Sequence, residues 1–403
     1  AVAAVERRHC AFYANLGAEE VLETHFWGAD PEVRQAFRLE RDNLAQATTS
    51  GRHGPSAVHA RATVAWAAIY QWYGPYLPAL TVVEDTLRRP DLDPRSRLQL
   101  VETAGSLYAN SDQSEHAARC AAECLELAQM LRDQAAQGRA LSQHTHIKGK
   151  DLSDEALIEN HQKALLLLRA DGDKRGEVDI LIRLGNFYMI QDNLEVAERL
   201  ANEMLEISLE IGCLLQEARS RRFRANYNMD AGHMDLAERD LKQAMENADR
   251  IEKPMLSMEV NGALGTLYKD LGRLEESVER HEVGIQLSRQ VGNRKIESIL
   301  MGNLALILQL QGKHKAAEQM YKDTVRIDET RGKTPIGHVA KGNLGDLLLS
   351  LDKLEESTTY LSEAIEKLDP MQPSMAGAFR GSLAWAKAQL GALDTARELL
   401  NEG

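Results

Sequence analysis

Proline and aromatic residues are both scarce in this chain, with 10 prolines among 403 residues and Phe, Trp and Tyr together at 5%. Proline interrupts helices and aromatic side chains favour strands, so the shortage of both leans towards helix. Cysteine is scarce too. Cys10, Cys120, Cys124 and Cys213 are too few and too scattered to staple a fold of this size, which predicts a reducing, cytoplasmic setting. No run of about 18 apolar residues occurs, so no membrane-spanning helix is expected. An excess of positive charge is also missing. A net charge of -13 argues against direct binding to nucleic acid or an anionic membrane, which needs clustered surface cations. The opening "AVAAVERRHC" lacks an initiator Met and a signal-peptide pattern, as expected of a piece of a longer protein. At 43% hydrophobic and 27% charged, the chain can nonetheless bury a core.

What the sequence does have is a period of forty. Gly105, Thr145, Gly185, Ala225, Gly265, Ala305 and Gly345 are small residues spaced by 40, with Ala67 before them and Ala384 after. A second column follows twelve residues later: Ala117, Leu157, Ala197, Ala237, Ser277, Ala317, Ser357 and Ala396. Between the two columns lies a turn residue, namely Gly74, Asp112, Asp192, Gly232, Gly272, Gly312, Asp352 or Gly391. Gly, and less readily Asp, tolerates the left-handed conformation that ends a helix. The unit is therefore helix, tight turn, helix. In "LAERDLKQAMENADRI" the residues Ala237, Leu241, Ala244, Ala248 and Ile251 step by four and three, marking one apolar face. Small residues in both columns let paired helices approach closely. One hairpin cannot bury its own apolar face, but stacked neighbours can. Strand-like alternation is missing. The fold expected is an all-α solenoid.

These residues resemble the tetratricopeptide repeat. Its helix-A pattern of Leu, Gly and then Tyr appears as Leu184-Gly185-Tyr188 and Leu264-Gly265-Tyr268, and its small helix-B residue is the Ala197 column. The resemblance covers residues 57–403. It implies a right-handed superhelix of about nine hairpins, and is weaker around "SQHTHIKGKDLSDEAL", where Gly149 comes early. The forty-residue length resembles the longer-helix branch of the family, which includes leucine–glycine–asparagine repeat adaptors and the sensor arrays of bacterial signalling ATPases. Residues 1–50 do not keep the period. They read as two helices, with Pro31 near the start of the second. "RRHCAFYANL" and "LERDNLAQA" resemble the junction leading into the repeats of signal-transducing ATPases with numerous domains; the alternative is an ordinary capping pair.

Catalytic signatures are missing, so no enzyme and no cofactor are expected. "RGKTP" at 331–335 has Lys333 and Thr334 but Ile327 where a phosphate loop needs its first glycine. "HEVGI" at 281–285 lacks the second histidine of a zinc protease. His116, Cys120 and Cys124 share one helical face, yet zinc wants four ligands, or three and a water, and buried free cysteine is common. No metal site is assigned.

One stretch runs against the acidic whole: "ARSRRFRAN" at 218–226 carries four arginines. Arg219, Arg222 and Asn226 follow i, i+3, i+7 and share a helical face. By the resemblance, that face lies on the inner, concave side of the superhelix. Arg183 and Asn186 stand at or beside the same face in the preceding repeat, and Asn303 and Asn343 repeat a neighbouring inner position further on. Asn offers a donor and an acceptor to an extended backbone, and Arg grips a carboxylate with two parallel bonds. These seven residues are the candidate partner-binding set, for a protein or an extended acidic segment. Intramolecular salt bridging is the structural alternative. Arg224, where other repeats bury leucine, and Asn228 are expected in a buried polar network instead. Arg221 has no clear assignment.

Overall fold

The computed structural model describes residues 2–22, 27, 31–331 and 334–402, and among them there is helix and turn but no strand. Among the described residues nine helical hairpins follow one another. They are α5 (Ser56–Tyr73) with α6 (Tyr76–Leu87), α7 (Pro94–Asn110) with α8 (Ser114–Leu131), and α9 (Gln134–Lys148) with α10 (Asp154–Asp171). Next come α11 (Lys174–Ile190) with α12 (Leu194–Glu210), α13 (Leu214–Asp230) with α14 (Met234–Ile251), and α15 (Pro254–Asp270) with α16 (Leu274–Val291). The last three are α17 (Arg294–Leu310) with α18 (His314–Arg331), α19 (Pro335–Ser350) with α20 (Leu354–Leu368), and α21 (Pro373–Gln389) with α22 (Leu393–Glu402). No described helix is long and apolar enough to cross a membrane.

The turn column behaves as its chemistry requires. All eight of its residues have positive φ, from 55° at Asp192 to 83° at Gly391. At every one but Gly74, which proline follows, the amide of the next residue bonds back to the helix's last turn, as in His233 N–H to Asn228 O at 2.7 Å. A second column, between hairpins, also has positive φ: Arg132, Gly172, Gly212, Glu252 and Gly292. Sequence reading missed it because Arg and Glu, poor left-handed residues, fill two of its five places. The helix that follows is capped by the Asp133, Asp173 and Asn293 side chains, each accepting a backbone amide.

The small columns mark where paired helices touch. A Cβ added at Gly265 would lie 2.3 Å from the His281 ring and one at Gly345 would lie 2.6 Å from Leu361 Cγ, whereas at Gly185 it would meet the Phe223 ring of the next hairpin at 2.4 Å. Where the second column holds serine, its hydroxyl donates to the glycine carbonyl across the hairpin: Ser277 to Gly265 O at 2.6 Å and Ser357 to Gly345 O at 2.8 Å. In the weak repeat, α9 is short and ends in a three-ten turn, Gly149–Asp151, where the early glycine falls.

The N-terminal fifty residues are more broken than the expected two helices. They form α1 (Val2–Ala14), a three-ten turn at Asn15–Gly17, the single turn α2 (Glu19–Val21), α3 (Pro31–Leu39) and α4 (Arg41–Gly51). Pro31 does open its helix, where its missing N–H costs nothing. Helices α1 and α4 pack on α5. At Gly17 a Cβ would meet the Arg61 carbonyl oxygen at 1.9 Å, so only glycine lets that turn seat on α5.

Contacts group the chain into two compact units: Ala1–Ala263 with Gln290–Gly292, and Leu264–Arg289 with Asn293–Gly403. The first has a core around Leu168, Leu181, Leu184, Met204 and Phe223, and a second cluster around Leu98, Cys124 and Ala128. The other unit is built on Tyr321, Leu344 and Leu347, and on Leu361, Leu368 and Phe379.

Candidate binding surface on the first helices of the hairpins

In the first unit, the first helices of successive hairpins meet along one face. One position of that face, repeating every forty residues, reads Arg139, Asp179, Arg219, Glu259, so its charge alternates along the array. Arg219 bonds Asp179 in the preceding repeat, and Gln216 braces the pair, its amide 2.9 Å from Asp179 Oδ1. Arg222 reaches the other way, to Glu259 at 3.4 Å. Arg183 donates to Ser142 Oγ at 3.0 Å and to Gln143. Arg139 bridges Glu102 at 3.4 Å and Asp173 at 3.1 Å. Arg219 and Arg222 thus each meet an acid of a neighbouring repeat. Internal pairing is a fact of this surface.

Burial first, and then neighbouring charges of both signs, set the electrostatics of the face. Burial, aided by Arg219, lowers Arg183 to about 10 against the pull of Asp179. Burial also works against the charge of Arg219, but Asp179 and Glu259 outweigh it and hold the guanidinium above its ordinary value. Lys253 joins the group: burial first, then Arg219, lower its ammonium to about 7 although Glu259 opposes them. Its Nζ sits 4.0 Å from the Trp72 ring centre, and the Arg34 guanidinium lies 4.4 Å from the same centre. Trp72 Nε1 donates to Ile251 O at 3.3 Å, a contact across 179 residues. Nothing local marks Lys253, Trp72 or Arg34 as neighbours, so sequence reasoning could not find them.

The asparagines differ from the arginines. Among the described residues, the side chains of Asn186, Asn226, Asn303 and Asn343 have no hydrogen-bond partner. Asn186 and Asn303 are exposed, while Asn226 and Asn343 are half-buried. Asn186 and Asn226 occupy equivalent places one repeat apart in the first unit; Asn303 and Asn343 do so in the second.

The other two arginines of the basic stretch point to helix α14. Arg224 grips Asp240 with two bonds of 2.7 Å, and Arg221 spans Glu217 at 2.7 Å and Asp240 at 3.2 Å. The Asp240 side chain is 4% exposed, so Arg224 belongs to a buried polar network. Asn228 is buried beside it.

The remaining motifs resolve simply. Cys124 packs among Leu98, Val101 and Ala128, and burial pushes the Cys120 thiol up to about 11. His116 stacks on Tyr108 at 4.9 Å. Among the described residues no three His, Cys, Asp or Glu side chains gather as metal ligands. In "RGKTP", Lys333 lies outside the described residues, and the Thr334 amide donates to Asp328 at 2.7 Å.

An all-helical stack of paired helices with small-residue seams defines a repeat scaffold. Residues 256–330 match the tetratricopeptide repeat family. No curated protein sequence matches the chain significantly. Among solved structures, it is similar to a signal transduction ATPase with numerous domains from Pyrococcus horikoshii that carries a tetratricopeptide repeat sensor. That match has a TM-score of 0.55 at 15% identity and covers 91% of this chain and 53% of that one. It is also similar to aspartyl phosphate phosphatase F from Bacillus subtilis, with a TM-score of 0.51 at 12% identity, covering 84% and 91%. A Rap protein complexed with competence and sporulation factor matches at 0.51 and 12%, covering 76% and 97%. Identities this low speak for the shared fold.

Proposed function

We propose that this chain is a non-catalytic binding protein that holds an extended, acid-bearing segment of a protein partner against the first-helix face of its hairpins. The observation carrying this reading is the pair of unpartnered amides, Asn186 and Asn226, one repeat apart and flanked by Arg183, Arg219 and Arg222. Such amides suit a peptide backbone, and the arginines suit its carboxylates, which would compete with Asp179 and Glu259. The competition makes the electrostatic gain modest and gives the asparagines the larger share. Asn303 and Asn343 offer the same chemistry separately, within the second unit.

The likeness to a protein with a tetratricopeptide repeat sensor supports a finer reading, that the chain is the partner-sensing region of a larger cytoplasmic signalling ATPase. A phosphate-loop motif encoded ahead of residue 1 is the expected finding, and its absence would leave the free-standing adaptor. The binding itself is tested with an array of acidic and neutral peptides and the Asn186→Ala/Asn226→Ala variant. The variant is expected to bind at least tenfold more weakly, with an unchanged melting point. Equal binding by both proteins removes the asparagines from the site.

A further inference from the structure

The contact between paired helices changes character from repeat to repeat. In α11 and α12 the contact between paired helices is apolar: Leu181, Leu184 and Tyr188 face Leu200, and all three leucines are buried. Forty residues on, the same four places hold Arg221, Arg224, Asn228 and Asp240. The next repeat, α15 with α16, holds Asn261, Leu264, Tyr268 and Arg280 there, and α17 with α18 holds Met301, Leu304, Leu308 and Met320. Replacing a buried apolar contact by an ion network generally lowers stability, because desolvation offsets the attraction between the charges. A repeat that holds two arginines and a buried aspartate in this contact is where function is to be sought.

The network also opens onto space. A cleft of about 600 Å³ lies between α12 and α14 with α13 as its floor, away from the first-helix face. Its lining includes Arg221, Arg224, Arg239, Asn202, Tyr227 and Asn228. Asp240 takes Nε and Nη2 of Arg224 and Nη1 of Arg221. Among the described residues, Arg224 Nη1 and Arg221 Nη2 are left without a partner, and exposed Arg239 has no ion pair. Lys242 lies on the rim, paired with Glu238 at 2.9 Å. Three acids also line the cleft: Asp240 is offset by the arginines, while Glu198, bonded by the Tyr227 hydroxyl, and Glu246, bonded by Gln243 at 2.9 Å, keep their charge opposite Arg239 and Lys242. Asp240 thereby fixes the two guanidiniums, while their free edges, the Asn228 amide and Arg239 remain for a ligand.

We propose that this α12–α14 cleft is a second binding site, for a compact anion bearing a carboxylate or phosphate group. Two fixed guanidiniums present parallel donors to either group, and the volume is that of a small-molecule pocket. The site is independent of the partner-binding face.

The test uses the full chain, titrated calorimetrically with inorganic phosphate and, separately, with succinate, against chloride at matched ionic strength. Saturable millimolar or tighter binding of at least one anion is expected, and which of the two binds decides between phosphoryl and carboxylate. Arg239→Ala, at an exposed and unpaired residue, should fold normally and bind about tenfold more weakly. The repeat-restoring variant Arg221→Leu/Arg224→Leu/Asn228→Tyr/Asp240→Leu should fold and lose binding altogether, while Asn186→Ala/Asn226→Ala should bind the anion as the parent does. Failure of both anions to saturate the parent chain, or unchanged affinity in Arg239→Ala, overturns the proposal and leaves the network structural.

Discussion

Adding one methyl group at Gly265 tests how the columns of small residues hold the hairpins together. In Gly265→Ala the new Cβ would lie 2.3 Å from both Cε1 and Nδ1 of His281, against an ordinary contact of 3.4–4 Å, so the ring must retreat by about 1 Å. His281 is fully buried, and its Nδ1 is tied to Ser277 O at 2.9 Å. Retreat sacrifices that bond, about 1 kcal/mol, and overpacks the interface, about 1–3 kcal/mol. Better helix propensity returns about 1 kcal/mol. The net expectation is a loss of about 1–3 kcal/mol in urea unfolding followed by circular dichroism, and Gly265→Leu should lose more. The equivalent place two repeats earlier, Ala201, shows that alanine is tolerated at position 281. In a His281→Ala background, Gly265→Ala should therefore cost nothing or stabilise slightly. An equal cost in both backgrounds, or none in either, would refute the argument that the ring and the glycine were matched to one another.

Arg224→Ala strands Asp240, whose side chain is 4% exposed, with Arg221 as its remaining cation. A loss of about 1–3 kcal/mol in urea unfolding is expected, below the full cost of breaking a buried pair because Arg224 is itself partly exposed. Arg219→Ala/Arg222→Ala breaks pairs to half-exposed Asp179 and Glu259 and should cost below about 1 kcal/mol for each pair; the reverse order would refute the burial argument. His161 supplies a pH dependence: burial, then the charges of Arg183 and His146, lower it from 6.5 to about 4. The unfolded chain then binds more protons below pH 6.5, so stability is complete above that value and is lost as pH falls from 6.5 towards 4, by up to about 3 kcal/mol. Urea midpoints between pH 7 and 4.5 should fall less steeply for His161→Ala, and parallel slopes would exclude this histidine.

Repetition made the architecture legible from sequence alone. A residue that must be small, and a turn residue that must take positive φ, recur at forty because each repeat meets the same packing problem, as Gly185, Gly265, Gly232 and Gly272 show. The separation of Arg219 and Arg222 from Arg224 was also legible, since helical periodicity assigns each to a face. Three things depended on tertiary structure. The partners of the arginines, Asp179, Glu259 and Asp240, were three among 61 acids, and no local pattern distinguishes an acid that lies opposite from one facing water. The approach of Trp72 and Arg34 to Lys253 joins segments far apart in the chain, so it follows from how the repeats stack and not from any repeat's own residues. The cleft beside Asp240 arises from the spacing of α12 and α14, which the packing of both against α13 decides. Sequence periodicity specifies contacts within and between adjacent helices, whereas distances between elements that do not touch accumulate from all the packing between them.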